Sequence, residues 1–191
     1  MKTLDQIREE IPDYARDLRL NLGSVLSTQG APGLSERQIW AVAVSSASAS
    51  RNPGFAREIA ALAAGQLDAA YLDAARSAAA IMGMNNVYYR FLHLVGDAEY
   101  ARMPARLRMN VIGNPGIDKL DFELLSLAVS AINGCGMCIE AHEKQLRKHE
   151  VSREAIQSAV RIAATVHAVA RVLEGAAEVR AAHGEGQSAA A

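Results

Sequence analysis

Apolar residues recur at three- and four-residue spacing along nearly the whole chain, while Val, Ile and Thr never cluster in alternating runs. That periodicity suits helices and leaves almost nothing for a sheet, so the expected fold class is all-α. The pattern also repeats. Shifting the chain by 85 positions lays residues 38–85 on 123–170 without a gap, with Ala43-Val44-Ser45 on Ala128-Val129-Ser130, Ala56 on Ala141 and Glu58 on Glu143. Ala70, Ala74, Ala78 and Ala79 fall on Ala155, Ala159, Ala163 and Ala164. Alanines match by chance in any alanine-rich helix, but the Ala-Val-Ser triplet, the glutamate and the helix breaks share one offset. A fixed period of this kind marks an internal two-fold helical repeat.

Local signals divide the chain further. Leu4 to Glu10 reads as a short helix broken by Pro12, and residues 13–28 as a second, with Tyr14, Leu18 and Leu22 spaced four apart. Ser35 and Gln38 form a capping box for a helix reaching about Ser50, and Asn52-Pro53-Gly54 interrupts the chain before a shorter one. Gly65 ends that helix, and Asp68 begins a long one running into Met84-Asn85-Asn86. Residues 96–117 read as a weakly structured connector. Asp118 then caps a helix through about Asn133, another starts near Cys135, and Ser152 is the N-cap of one continuing to about Ala182. The expected organisation is one helical domain over residues 1–183, with a disordered tail over 184–191.

Half the residues are apolar, but many of these are alanine and only 5% of the chain is aromatic. Small side chains bury little area each, so close helix packing or subunit association is expected to supplement the core. The formal charge of −1 offers no basic surface for nucleic acid or an anionic membrane. No charged segment followed by an apolar stretch opens the chain, and no run approaches the roughly 18 apolar residues of a membrane span. A cytoplasmic location is the expectation. Structural disulfides are rare there, so a lone CxxC points to catalysis or metal binding.

Cys135-Gly136-Met137-Cys138 contains the only two cysteines of the chain. A pair at that spacing can close a tight disulfide. Cys135 is expected at a helix N-terminus, where unpaired N–H groups and the helix dipole favour a thiolate. His142, four residues beyond Cys138, lies on the same helix face, and a neutral imidazole there can take the thiol proton. Glu123 sits in the preceding helix on the apolar face of Phe122, Leu125 and Val129, where a buried carboxylate needs a partner. If the two helices pack antiparallel across Asn133-Gly134, Glu123 can reach His142 or its bound water, orient the ring and pass protons.

These residues imply a reaction. The thiolate of Cys138 attacks the outer oxygen of a peroxide, and Cys135 or His142 protonates the leaving alcohol. Cys138 becomes a sulfenic acid, Cys135 condenses with it to a disulfide, and an external dithiol restores the pair. Other readings of the same residues stay open. A zinc site would need Glu123 or a partner chain to complete four ligands, giving a metal-stabilised helical binding module. Glu123 alone can be a charge in the first turn of its helix, and His142 alone a solvated residue. His93, His149, His167 and His183 have no partner at telling spacing, and Arg102, Arg106 and Arg108 fit solvated loop charges.

A resemblance narrows the choice. Ile81-Met82-Gly83-Met84-Asn85-Asn86-Val87-Tyr88-Tyr89-Arg90, Leu107-Arg108-Met109-Asn110, Asn114-Pro115-Gly116-Ile117, Phe122-Glu123 through Ser130-Ala131-Ile132-Asn133-Gly134-Cys135, and Cys138-Ile139-Glu140-Ala141-His142-Glu143 are similar to the AhpD alkyl hydroperoxidase family of the carboxymuconolactone-decarboxylase-like superfamily. The likeness covers nearly the whole chain. It implies an all-helical subunit with an internal repeat, assembled as a homotrimer. It further implies reduction of alkyl and hydrogen peroxides and recharging of a peroxiredoxin, AhpC. It implies no tightly bound cofactor, with electrons from the dihydrolipoyl group of a dihydrolipoamide acyltransferase, recharged by dihydrolipoamide dehydrogenase using NADH. By position, Cys138 forms the sulfenic acid, Cys135 is proton donor and resolving thiol, and His142 and Glu123 are the proton relay. A redox adaptor for the peroxiredoxin, with little peroxidase activity of its own, is the rival within this family. Relatives can carry a histidine between the cysteines where this chain has Gly136-Met137, a difference that bears on thiol pKa and redox poise.

Overall fold

A computed structural model describes residues 2–188, with side-chain environments through Val179. Its described residues form helices and loops: α1 (Leu4–Glu9), α2 (Arg16–Val25), α3 (Glu36–Ala49), α4 (Pro53–Ala63), α5 (Ala69–Val95), α6 (Ala98–Arg102), α7 (Asn110–Gly113), α8 (Lys119–Asn133), α9 (Gly136–Lys148) and α10 (Arg153–Ser188). Side-chain caps set the starts of α3, α4, α5, α8 and α10. The Ser35 hydroxyl accepts the Gln38 N–H at 3.2 Å while the Gln38 side chain accepts the Ser35 N–H at 2.9 Å, completing the expected box. Asn52 caps α4 through the Phe55 N–H with Pro53 in the first turn, and Asp68 caps α5 through the Tyr71 N–H. Asp118 caps α8, and Ser152 accepts the Ala155 N–H at the start of α10.

The repeat is visible in three dimensions. Shifted by 85 positions, α3, α4 and α5 begin within two residues of α8, α9 and α10. Matched positions have matched environments: Ala43 and Ala128, Ser45 and Ser130, and Ala78 and Ala163 are all at most 1% exposed. The halves interleave rather than sit side by side. α3 and α8 cross at the centre, and each of the long helices α5 and α10 packs on both of them. Alanines at these crossings, among them Ala41, Ala47, Ala159 and Ala170, let the backbones approach closely, while Phe122, Leu125, Leu127 and Ile162 fill the core between them. Gly33 lies against α10: its φ is +81°, and an added Cβ would stand 3.0 Å from the Ala155 backbone.

Several boundaries differ from expectation. α5 runs on to Val95: Asn85 and Asn86 are buried within it, and the Asn86 amide is engaged by Ser130 and Asn133 instead of ending the helix. The 96–117 connector holds two short helices, α6 and α7. Tyr14 is 76% exposed, since a 3-10 turn over Asp13–Ala15 precedes α2 and turns it off the apolar face of Leu18 and Leu22. α10 continues to Ser188, beyond the expected stop at about 182; residues 189–191, the end of the expected tail, lie outside the described residues. Among the described residues no helix is long and apolar enough to cross a membrane.

Candidate active site

The α8–α9 hairpin builds the site from a two-residue reversal. Gly134 adopts a left-handed φ of +66°, which a side chain would resist. Its N–H donates to the Ala131 carbonyl at 3.2 Å and the Cys135 N–H to the Ser130 carbonyl at 3.1 Å, the paired bonds of a Schellman motif. The chain therefore reverses sharply, and α9 returns antiparallel along α8. Cys135 becomes the N-cap of α9 but makes no side-chain capping bond, so no side chain competes with sulfur for the first-turn N–H groups.

Cys135 and Cys138 are joined as a disulfide with Cα atoms 5.3 Å apart, inside the usual range for such a bridge. Both sulfurs are sheltered: Cys135 is fully buried and Cys138 is 6% exposed. The more accessible sulfur is thus that of Cys138. Antiparallel packing brings Glu123 of α8 against His142 of α9, with Glu123 Oε2 2.6 Å from His142 Nδ1 and both side chains under 20% exposed. An ionised carboxylate only accepts, so Nδ1 carries the hydrogen and Nε2 keeps its lone pair. The contact expected from the antiparallel geometry is present, and both partners come from the residues singled out in the sequence.

Beside them lies a cavity of about 270 Å³ lined by Cys138, His142 and Asn85 together with apolar Met82, Tyr89, Met109, Ile112, Met137 and Ala141. α5 forms one wall of it and the short α7 another. The expected connector therefore lines the site through Met109 and Ile112. Among the described residues no group of three or more His, Cys, Asp and Glu side chains is arranged to hold a metal ion.

Sequence reasoning missed what fixes the hairpin in place. Asn86 Nδ2 donates to Ser130 Oγ at 2.9 Å, Asn133 Nδ2 donates to Asn86 Oδ1 at 2.9 Å, and Arg90 Nη1 donates to the Asn133 carbonyl at 2.6 Å. This chain of bonds ties α5 to the last turn of α8, one residue before the reversal. Its signal was an asparagine pair inside an otherwise apolar helix, which announces buried amides in need of partners. His167 was also underestimated. Its Nδ1 lies 3.2 Å from Ser50 Oγ, on the wall of a second, larger cavity of about 570 Å³ that Arg51, Arg90 and Arg171 also line. Burial holds the His167 pKa below the ordinary histidine value, and the Arg171 charge adds to that effect. Arg102 pairs with Glu99 as a solvated charge, and the side chain of His183 lies outside those described.

Known proteins resemble this chain closely. Residues 98–181 match the carboxymuconolactone decarboxylase family. Alkyl hydroperoxide reductase AhpD of Rhodospirillum centenum is 59% identical over 172 residues, covering 90% of this chain and 91% of the relative. AhpD of Gluconacetobacter diazotrophicus is 57% identical, covering 92% and 94%, and that of Brucella canis 55% identical, covering 91% and 98%.

Proposed function

The chain belongs to the AhpD family, and from that premise we propose that it is an antioxidant thiol peroxidase reducing alkyl and hydrogen peroxides at Cys135 and Cys138. The observation that carries this reading is the Glu123–His142 pair at 2.6 Å, set on the same cavity as the more accessible sulfur. In the reduced protein, His142 Nε2 accepts the Cys138 proton, and Glu123 stabilises the imidazolium so formed. The Cys138 thiolate attacks the outer oxygen of the hydroperoxide. An S–O bond forms, the O–O bond breaks, and the departing alkoxide takes the Cys135 proton to leave as alcohol. Cys138 is then a sulfenic acid. The new Cys135 thiolate attacks its sulfur, the S–S bond forms, and hydroxide leaves with the His142 proton as water. Overall, two thiols and a hydroperoxide become a disulfide, an alcohol and water.

The dithiol that reopens the disulfide is, in this proposal, the dihydrolipoyl group of a dihydrolipoamide acyltransferase, itself recharged by dihydrolipoamide dehydrogenase and NADH. Exchange begins at the accessible Cys138 sulfur and passes through a mixed disulfide. The reduced pair also recharges the peroxiredoxin AhpC, and the protein works in the cytoplasm as a homotrimer. Exposed Val87, Phe91 and Leu94, on one face of the projecting end of α5, support self-association. Peroxide-dependent NADH consumption, reconstituted with the lipoylated acyltransferase and its dehydrogenase, tests the scheme by omission. Loss of turnover on omitting either component is expected; turnover that survives both omissions rules out the lipoyl route. If the pre-reduced protein consumes alkyl peroxide no faster than its Cys138→Ser variant, yet still reduces AhpC, the adaptor role replaces the peroxidase.

A further inference from the structure

Asn85 is 5% exposed, and its Oδ1 is buried without any hydrogen-bond partner. A buried acceptor left in that condition is costly, so it calls for a ligand or a function. The adjacent Asn86 shows the contrast, because both atoms of its amide are engaged, with Ser130 and Asn133. Asn85 shares a face of α5 with Met82, three residues before it, and Tyr89, four after it, and all three line the 270 Å³ cavity of Cys138 and His142. Nothing in the rest of that lining satisfies it. Met82, Met109, Ile112, Met137 and Ala141 have no side-chain donor, His142 Nδ1 is taken by Glu123, and the Tyr89 hydroxyl makes no bond to it.

The geometry points to Asn85 as the residue that seats the substrate: its Oδ1 accepts the hydrogen of an alkyl hydroperoxide, turning the outer oxygen toward Cys138, while the alkyl part rests on Met82, Met109 and Ile112. This assignment rests on the peroxidase reading and deepens it. An alkyl hydroperoxide has one O–H donor, and Asn85 supplies a buried, unpartnered acceptor on the cavity wall. The substrate class is a small hydroperoxide with an apolar substituent. The hydrogen stays on the outer oxygen throughout, so the S–O bond forms and the O–O bond breaks with no proton passing through Asn85. The sulfenic acid produced keeps that hydrogen, and Asn85 can hold it until Cys135 attacks.

The test uses the full-length, pre-reduced protein and two reagents. tert-Butyl hydroperoxide carries the O–H donor, whereas methyl methanethiolsulfonate attacks the same thiolate with no donor at all. In Asn85→Leu, which keeps the volume and removes the acceptor, the rate constant for the hydroperoxide is expected to fall about tenfold. The rate with methyl methanethiolsulfonate and the pH titration of the thiolate should stay at wild-type values. Asn85→Ala serves as the second variant, with folding checked by circular dichroism. Hydroperoxide rates within twofold of wild type, or proportionate losses with both reagents, overturn the assignment. A wild-type protein no faster with hydroperoxide than Cys138→Ser overturns the peroxidase reading itself, and is seen before any Asn85 variant is made.

Discussion

The two halves of the molecule share a scaffold, and four positions that carry chemistry in the second half are filled differently in the first. Where the second half places Glu123, Cys135, Cys138 and His142, the first places Gln38, Ser50, Pro53 and Arg57. The Gln38 side chain accepts the Ser35 N–H in its own capping box and donates to Asp121 of α8 at 2.7 Å, so it is committed to structure. Pro53 occupies the first turn of α4 under a working Asn52 cap, and Arg57 is exposed. In the second half the cap is a cysteine without a capping bond, and the carboxylate is free to hold an imidazole. The cavities diverge in the same way. The cavity beside Ser50 is lined by Ser50, Arg51, His167 and Arg171, and the one beside Cys138 chiefly by methionine, isoleucine and alanine. A duplicated helical frame therefore fixes positions, and chemistry follows from what stands at the helix N-terminus and one turn beyond it.

Exchanging or removing the four differing residues tests that comparison. Cys138→Ser should lower the rate of peroxide reduction by at least about a thousandfold, because its hydroxyl is not ionised at neutral pH. Ser50→Ala, at the position equivalent to Cys135, should stay within about twofold in the same stopped-flow assay. A comparable loss from Ser50→Ala would place chemistry in the first half. Next in size, His142→Phe should cost about a hundredfold at neutral pH by removing the base, and Glu123→Gln about tenfold by loosening it. Arg57→Ala should leave the rate unchanged. If the double variant of His142 and Glu123 loses the product of the two single losses, the pair does not act as a unit.

Stability sharpens the comparison further. Asn86→Leu strands Ser130 and Asn133, and thermal unfolding should show a loss of about 2–3 kcal/mol. Tyr71→Phe, which removes the 2.7 Å bond to Asp121 beneath the first half, should cost about 1 kcal/mol because Gln38 still serves that carboxylate. Equal losses would mean that the two halves are held equally tightly. The smallest effect concerns His167, whose folded pKa lies below its ordinary value of 6.5. The unfolded chain then binds the proton more readily, so the stability this residue contributes is present above about pH 6.5 and is lost as pH falls through the lower, folded value. Denaturant titrations across that window should show His167→Gln with a shallower pH dependence than wild type; identical slopes would exclude the residue.

Much of this was legible in the sequence because the signals are local. Ser35 with Gln38, Asn52 with Pro53, Asp68 and Asp118 announce their helices through capping chemistry that acts over three residues. The duplication was legible because buried alanines and serines recur at one offset. Glu123 and His142 were legible as a pair only through the short Asn133-Gly134 reversal, which fixes antiparallel packing. What escaped depends on contacts distant in sequence. The Asn86–Ser130–Asn133 chain joins residues more than forty apart. His167 meets Ser50 across 117 positions. Met109 and Ile112 reach the cavity because α7 folds back on it, which no periodicity in a Pro- and Gly-rich segment could reveal.

The central claim is that His142, held by Glu123, activates the Cys138 thiol, and the ionisation of that thiol tests it most directly. Thiolate absorbance near 240 nm, followed against pH in the reduced protein, should rise at a lower pH in wild type than in His142→Phe, with Glu123→Gln between them. Superimposable curves for all three proteins would contradict the account.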